Sequence, residues 1–142
     1  MMNRLSSAAV CTVAATAATL AVSAPAQAAY PAIDVYVAYG QSYARGTVTF
    51  FDRRVEFDGK LAITSGNCRV VTIIRFAKTA VRTTALGTSQ TGKQCNYNLA
   101  TTVYSGDLTI AANVPGGANY IEVHIGENAA NPYLNSNSYW KP

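Results

Sequence analysis

From residue 29 onward, apolar and polar positions alternate with the two-residue period of extended strands. The longest such run is 68–76, Cys-Arg-Val-Val-Thr-Ile-Ile-Arg-Phe, with five β-branched residues in nine, a composition that disfavours a helix. Cys68, Val70, Thr72, Ile74 and Phe76 share one nearly apolar face. Arg69, Val71, Ile73, Arg75 and Ala77 share the other, charged near both ends. The run reads as a central strand, its Cys68 face packed on a second layer and its other face partly covered.

Shorter runs flank it. In 33–39, Ile33, Val35, Val37 and Tyr39 oppose Asp34, Tyr36 and Ala38. Val48 and Phe50 face together in 46–51, and Val55 and Phe57 in 55–57. Asp58-Gly59 is a hairpin signal, because a type I′ turn needs positive φ at both central residues. It predicts that 61–63 runs back along 55–57. The stretch 78–86 reads as a polar, partly exposed strand and 87–94 as a mobile loop. In 95–104 the alternation puts Cys95, Tyr97, Leu99, Thr101 and Val103 inward. Strands at 108–110 and 120–125 follow, the latter with Ile121, Val123 and Ile125 inward and Tyr120, Glu122 and His124 outward. From 126 the pattern dissolves into an irregular, aromatic, Asn-rich tail.

About eight or nine short strands with Gly-rich turns and no amphipathic helix predict an all-β fold, a single antiparallel β-sandwich. The domain spans 29–125 and the tail 126–142. Residues 1–28 read as a cleaved secretory signal peptide: a basic start, an uncharged Ala/Val/Thr/Leu run from 5 to 22, and Ala26-Gln27-Ala28 as a small-x-small cleavage site. Export to an extracellular location follows from it, with no membrane attachment after cleavage.

Of three cysteines, Cys11 falls in the leader, leaving Cys68 and Cys95. An exported chain with one pair joins them. A bond between two strands resembles the inter-layer bridge of an immunoglobulin-like or similar sandwich in architecture alone, since the Trp expected beside such a bridge is absent. Without Arg4 the charge is about +3, mild and scattered, which gives no nucleic-acid footprint.

The chemistry is notable for what it lacks. The single histidine, His124, stands on an outward strand face and no Gly-x-Ser-x-Gly elbow accompanies it. No ligand spacing for zinc or calcium occurs, so no metal and no cofactor is expected. No catalytic residue is assigned, although Glu56, Glu122 and His124 are the residues a small glycoside hydrolase would draw on.

Nine tyrosines and one tryptophan stand in a chain of few charges. Tyr36, Tyr39, Tyr43, Tyr133, Tyr139 and Trp140 are the candidate contacts, since ring faces pack on sugar C–H bonds while amides take the hydroxyls. The leading expectation is a secreted, non-catalytic binding module for an extracellular polysaccharide, a cell-envelope polymer or a secreted protein. The alternative is an inhibitor or toxin-like protein acting through the loop 87–94, anchored by Cys95.

Overall fold

The computed structural model describes residues 29–142; the proposed signal peptide lies outside the described residues. Every regular element among the described residues is a strand. In chain order they are β1 (Ile33–Tyr39), β2 (Ser42–Phe50), β3 (Arg54–Ile63), β4 (Asn67–Lys78), β5 (Thr83–Gln90), β6 (Gln94–Asn96), β7 (Thr102–Ser105), β8 (Leu108–Ala111), β9 (Tyr120–Gly126) and β10 (Asn135–Trp140). They form two antiparallel sheets packed as a sandwich, with ten strands in place of eight or nine. The first sheet runs β1-β2-β3-β7, and β8 pairs with the other half of β3. The second runs β10-β9-β4-β5, with β6 on the first part of β4.

The layers meet over one apolar core. Val35, Val37, Val48, Phe50, Val55, Phe57, Leu61 and Ile63 come from the first sheet, and Val71, Ile73, Ile121, Val123 and Ile125 from the second. The alternations expected for β1, β2 and β9 therefore hold.

The alternation of β4 is reversed. Val71 and Ile73 face the core, while Cys68, Val70, Thr72, Ile74 and Phe76 lie on the outer face. That outer face is apolar because it is covered in turn. Pro132 sits against Gly126, where a Cβ would come within 2.4 Å of it, and Gly126 is the register partner of Val70. The Tyr133 ring meets His124 at 4.8 Å. His124, directed outward as expected, is consequently buried under this segment.

The disulfide joins Cys68 to Cys95, but within one sheet, not across the layers. The two residues are direct partners in the β4–β6 ladder, with Cα atoms 4.0 Å apart. Both are half-buried on the side of β4 away from the core, so neither points inward as expected.

Asp58-Gly59 is not a turn. β3 passes straight through it, and Gly59 pairs with Gly46 of β2. The two glycines are needed for close approach, since a Cβ on Gly46 would lie 2.2 Å from the Asp58 carbonyl oxygen and one on Gly59 would strike the Phe57 ring. The turn happens in the partner instead. β7 leaves β3 and β8 joins it beside Gly59, where the Gly59 amide donates to Asp107 Oδ1 at 3.2 Å and the Gly106 amide to the Gly59 carbonyl at 2.9 Å.

The 95–104 run is also not one strand. Tyr97 and Leu99 are 86% and 99% exposed, and Val103 is exposed as well, so the predicted inward set points out. Asn96 is the buried residue. Its Nδ2 donates to the Ile63 and Ala100 carbonyls, both at 2.7 Å, and its Oδ1 accepts from the Asn98 amide and the Thr102 hydroxyl. Four hydrogen bonds to one carboxamide bend the chain between β6 and β7.

Residues 87–90, read as loop, belong to β5. The Asn-rich end, read as irregular, carries β10, whose alternation is polar on both sides. Its core-side residues reach the free edge of β1. Asn135 Nδ2 donates to the Ala38 carbonyl, and Asn137 Nδ2 and Tyr139 Oη donate to the Tyr36 carbonyl. Tyr139 Oη also accepts from the Tyr36 amide at 2.8 Å. Side-chain amides thus close an edge that would otherwise present unpaired backbone groups.

Candidate binding face

The outer face of the first sheet is built by register. Tyr36, Arg45, Lys60 and Ser105 are successive partners across β1, β2, β3 and β7, so their side chains project together. The next row holds Asp34, Thr47 and Asp58. A third, on the other side, holds Ala38, Tyr43, Ala62 and Val103. Tyr36 is 51% exposed, and its ring lies 5.9 Å from that of Tyr43. The Arg45 guanidinium stands 5.8 Å from the Tyr43 centroid.

An open groove of about 420 Å³ runs over this face, lined by Asp34, Tyr36, Arg45, Thr47, Asp58 and Lys60. Its floor is the close β2–β3 backbone at Gly46 and Gly59. The face therefore offers one aromatic platform, two cations, two carboxylates and a hydroxyl. At the far rim, Asp107 is held below the usual carboxylate range by the Ser105 hydroxyl first and the Gly59 amide second.

The six aromatic candidates do not share one surface. Tyr36 and Tyr43 form the platform just described. Tyr39 ends β1 at the rim of the sandwich, 44% exposed, with the Arg69 guanidinium 5.5 Å from its ring. Tyr139 points into the seam between β10 and β1. Tyr133 and Trp140 lie on the outer face of the second sheet. There Trp140 packs on Tyr120 at 4.8 Å and Tyr120 on Phe76 at 5.6 Å, with Lys78 Nζ between Tyr120 and Trp140.

The residues considered for hydrolysis are separated. Glu56 is on the outer face of the first sheet, ion-paired with Arg54 at 2.7 Å. Glu122 is on the outer face of the second, 3.1 Å from His124 Nε2. The two glutamates thus stand on opposite layers, and each has a basic partner. Among the described residues no group of three or more His, Cys, Asp or Glu is placed to hold a metal ion.

Arg45, Thr47 and Lys60 were not among the sequence candidates. Alternation alone marks them as outward; only the register, with β3 continuous through Asp58 and Gly59, sets them beside Tyr36. Compared with known protein families, curated proteins and solved structures, the chain matches none.

Proposed function

We propose that this chain is an exported, non-catalytic binding module for an extracellular polymer, a polysaccharide or cell-envelope polymer, and that it binds through the face carrying Tyr36. One observation carries this reading: a half-exposed tyrosine ring stands over an open groove whose walls are charged and hydroxylic. A sugar ring stacks on such a platform while its hydroxyls meet the surrounding polar groups. The Tyr36 backbone is pinned through both its N–H and C=O by Tyr139, so the ring is presented from a fixed strand at little entropic cost. Affinity electrophoresis through gels containing soluble polysaccharides tests the reading. Tyr36→Ala should abolish retardation, and Trp140→Ala should leave it; retardation by no polymer, or equal retardation of wild type and Tyr36→Ala, overturns it.

A second reading, an inhibitor or toxin-like protein acting through a disulfide-anchored loop, is favoured by one observation at a shifted position. The projecting segment is 97–101, after Cys95, not 87–94 before it. Tyr97 and Leu99 stand almost fully exposed on a turn held by Asn96 and the adjacent disulfide. Stoichiometric loss of subtilisin or chymotrypsin activity on mixing, removed by Leu99→Asp, would support this reading against the first.

A further inference from the structure

The binding face carries an arrangement that folding alone disfavours. Arg45 and Lys60 are direct cross-strand partners on one face, a like-charge pairing that destabilises a sheet. Among the described residues no ion pair involves either cation; the ion pair on this sheet is Arg54–Glu56. Three carboxylates stand around the two cations without pairing: Asp58 one pleat from Lys60 along β3, about 7 Å, Asp34 diagonal to Arg45, and Asp107 at the Ser105 rim, where its oxygens are taken by the Ser105 hydroxyl and the Gly59 amide. Arg45 leans on the Tyr43 ring instead.

Two unpaired cations beside an exposed ring specify a ligand. We infer that the polymer bound at this face is anionic, with its negative groups seated between Arg45 and Lys60 and a sugar ring on Tyr36. This rests on the binding-module reading and adds the ligand's charge class. From Tyr36 to Lys60 is two strand spacings, about 10 Å, roughly the span of a disaccharide. The polymer then crosses the strands along the row Tyr36, Arg45 and Lys60 and stops short of Ser105, whose hydroxyl donates to the Asp107 carboxylate at 2.8 Å. Asp34 and Asp58 repel an anion from the adjacent row, so the two rows together fix which side of the sugar carries the charge. The shared chemistry is a sugar-containing polymer with repeated anionic groups, either carboxylate or phosphate diester.

The test is titration calorimetry of the disulfide-intact protein with three probes: polygalacturonate, a glycerol-phosphate teichoic acid and neutral dextran. The expected result is binding to one or both anionic polymers and none to dextran, with affinity falling as salt rises. Which anionic probe binds tells carboxylate from phosphate. Arg45→Gln/Lys60→Gln should lose about tenfold in affinity or more, the combined effect of two exposed charge contacts. Its melting temperature should be equal to or above wild type, since a repulsion is removed, and that separates a binding defect from a folding one. Equal binding to dextran, dependent on Tyr36 but not on Arg45 and Lys60, overturns the anionic class and leaves the binding-module reading standing. Anionic binding unchanged in the double variant overturns the seat between the two cations. Binding to none of the three probes overturns the anionic inference, and the wider polysaccharide gel survey then decides the module reading separately.

Discussion

Replacing Asn96 with alanine should be among the most damaging single changes outside the apolar core. The side chain is fully buried and makes four hydrogen bonds, two donated at 2.7 Å and two accepted at 2.9 and 3.0 Å. The four partners are not equal. The Ile63 carbonyl belongs to a buried core residue and cannot recover a water, so its lost partner costs about 1–3 kcal/mol. Ala100 and Asn98 are exposed, and Thr102 is half-buried, so their groups rehydrate at about 0.5 kcal/mol each. The sum is about 2.5–4.5 kcal/mol, a large share of the 5–15 kcal/mol typical of a whole domain. Urea unfolding of the oxidised protein, followed by far-ultraviolet circular dichroism, measures it. With a slope near 1.5 kcal/mol/M, the midpoint should fall by roughly 2–3 M. Asn98→Ala, which removes one exposed 3.3 Å bond, is the control and should change stability by about 0.5 kcal/mol or less. A loss below about 1 kcal/mol for Asn96→Ala would refute the claim that this carboxamide organises the β6–β7 turn.

Three further outcomes follow from the same geometry. Cys68→Ser/Cys95→Ser should cost about 3.5 kcal/mol on the loop-entropy account of a 27-residue separation, read as a lower urea midpoint; a cost under 1 kcal/mol would show that the β4–β6 ladder holds without its covalent tie. Tyr139→Phe removes both bonds to the Tyr36 backbone and should cost about 1 kcal/mol, a few degrees in melting temperature, and weaken polymer binding without touching the ligand face; an unchanged melt and unchanged binding would contradict the sealing of the β1 edge. Because the Asp107 carboxyl titrates below its ordinary range when folded, its contribution is present above that range and lost as pH falls through the folded pKa. Stability of the wild type should therefore drop more steeply than that of Asp107→Asn between about pH 5 and pH 2 in acid titrations, and parallel curves would contradict the Ser105 and Gly59 contacts.

Sequence patterning located strands well where one face is buried and the other wet. β1 is the clear case, with Val35 and Val37 in the core and Asp34 and Tyr36 outside. It failed where both faces are covered. The outer side of β4 is apolar because Pro132, Tyr133 and the Tyr120 ring lie on or beside it, so its alternation could not tell which side met the other sheet. It failed again where a polar residue takes the inward place: Asn96 is buried because its hydrogen bonds are complete, while Tyr97 and Leu99 are left in solvent. Asp58-Gly59 is no reversal: neither residue has the positive φ that a type I′ turn needs, and Gly59 serves close approach to Gly46 within a continuous β3. Reading a turn there also hid the candidate site. With a turn at 58–59, Lys60 has no reason to stand opposite Arg45; with a continuous β3 it must.

The most direct test of the account is amide chemical-shift mapping of the ¹⁵N-labelled protein during titration with oligogalacturonate. The shifted resonances should cluster at Asp34, Tyr36, Arg45, Thr47 and Lys60, the outer face of the first sheet. Shifts confined to Tyr97 and Leu99, or to Tyr133 and Trp140, with that face silent, would contradict it.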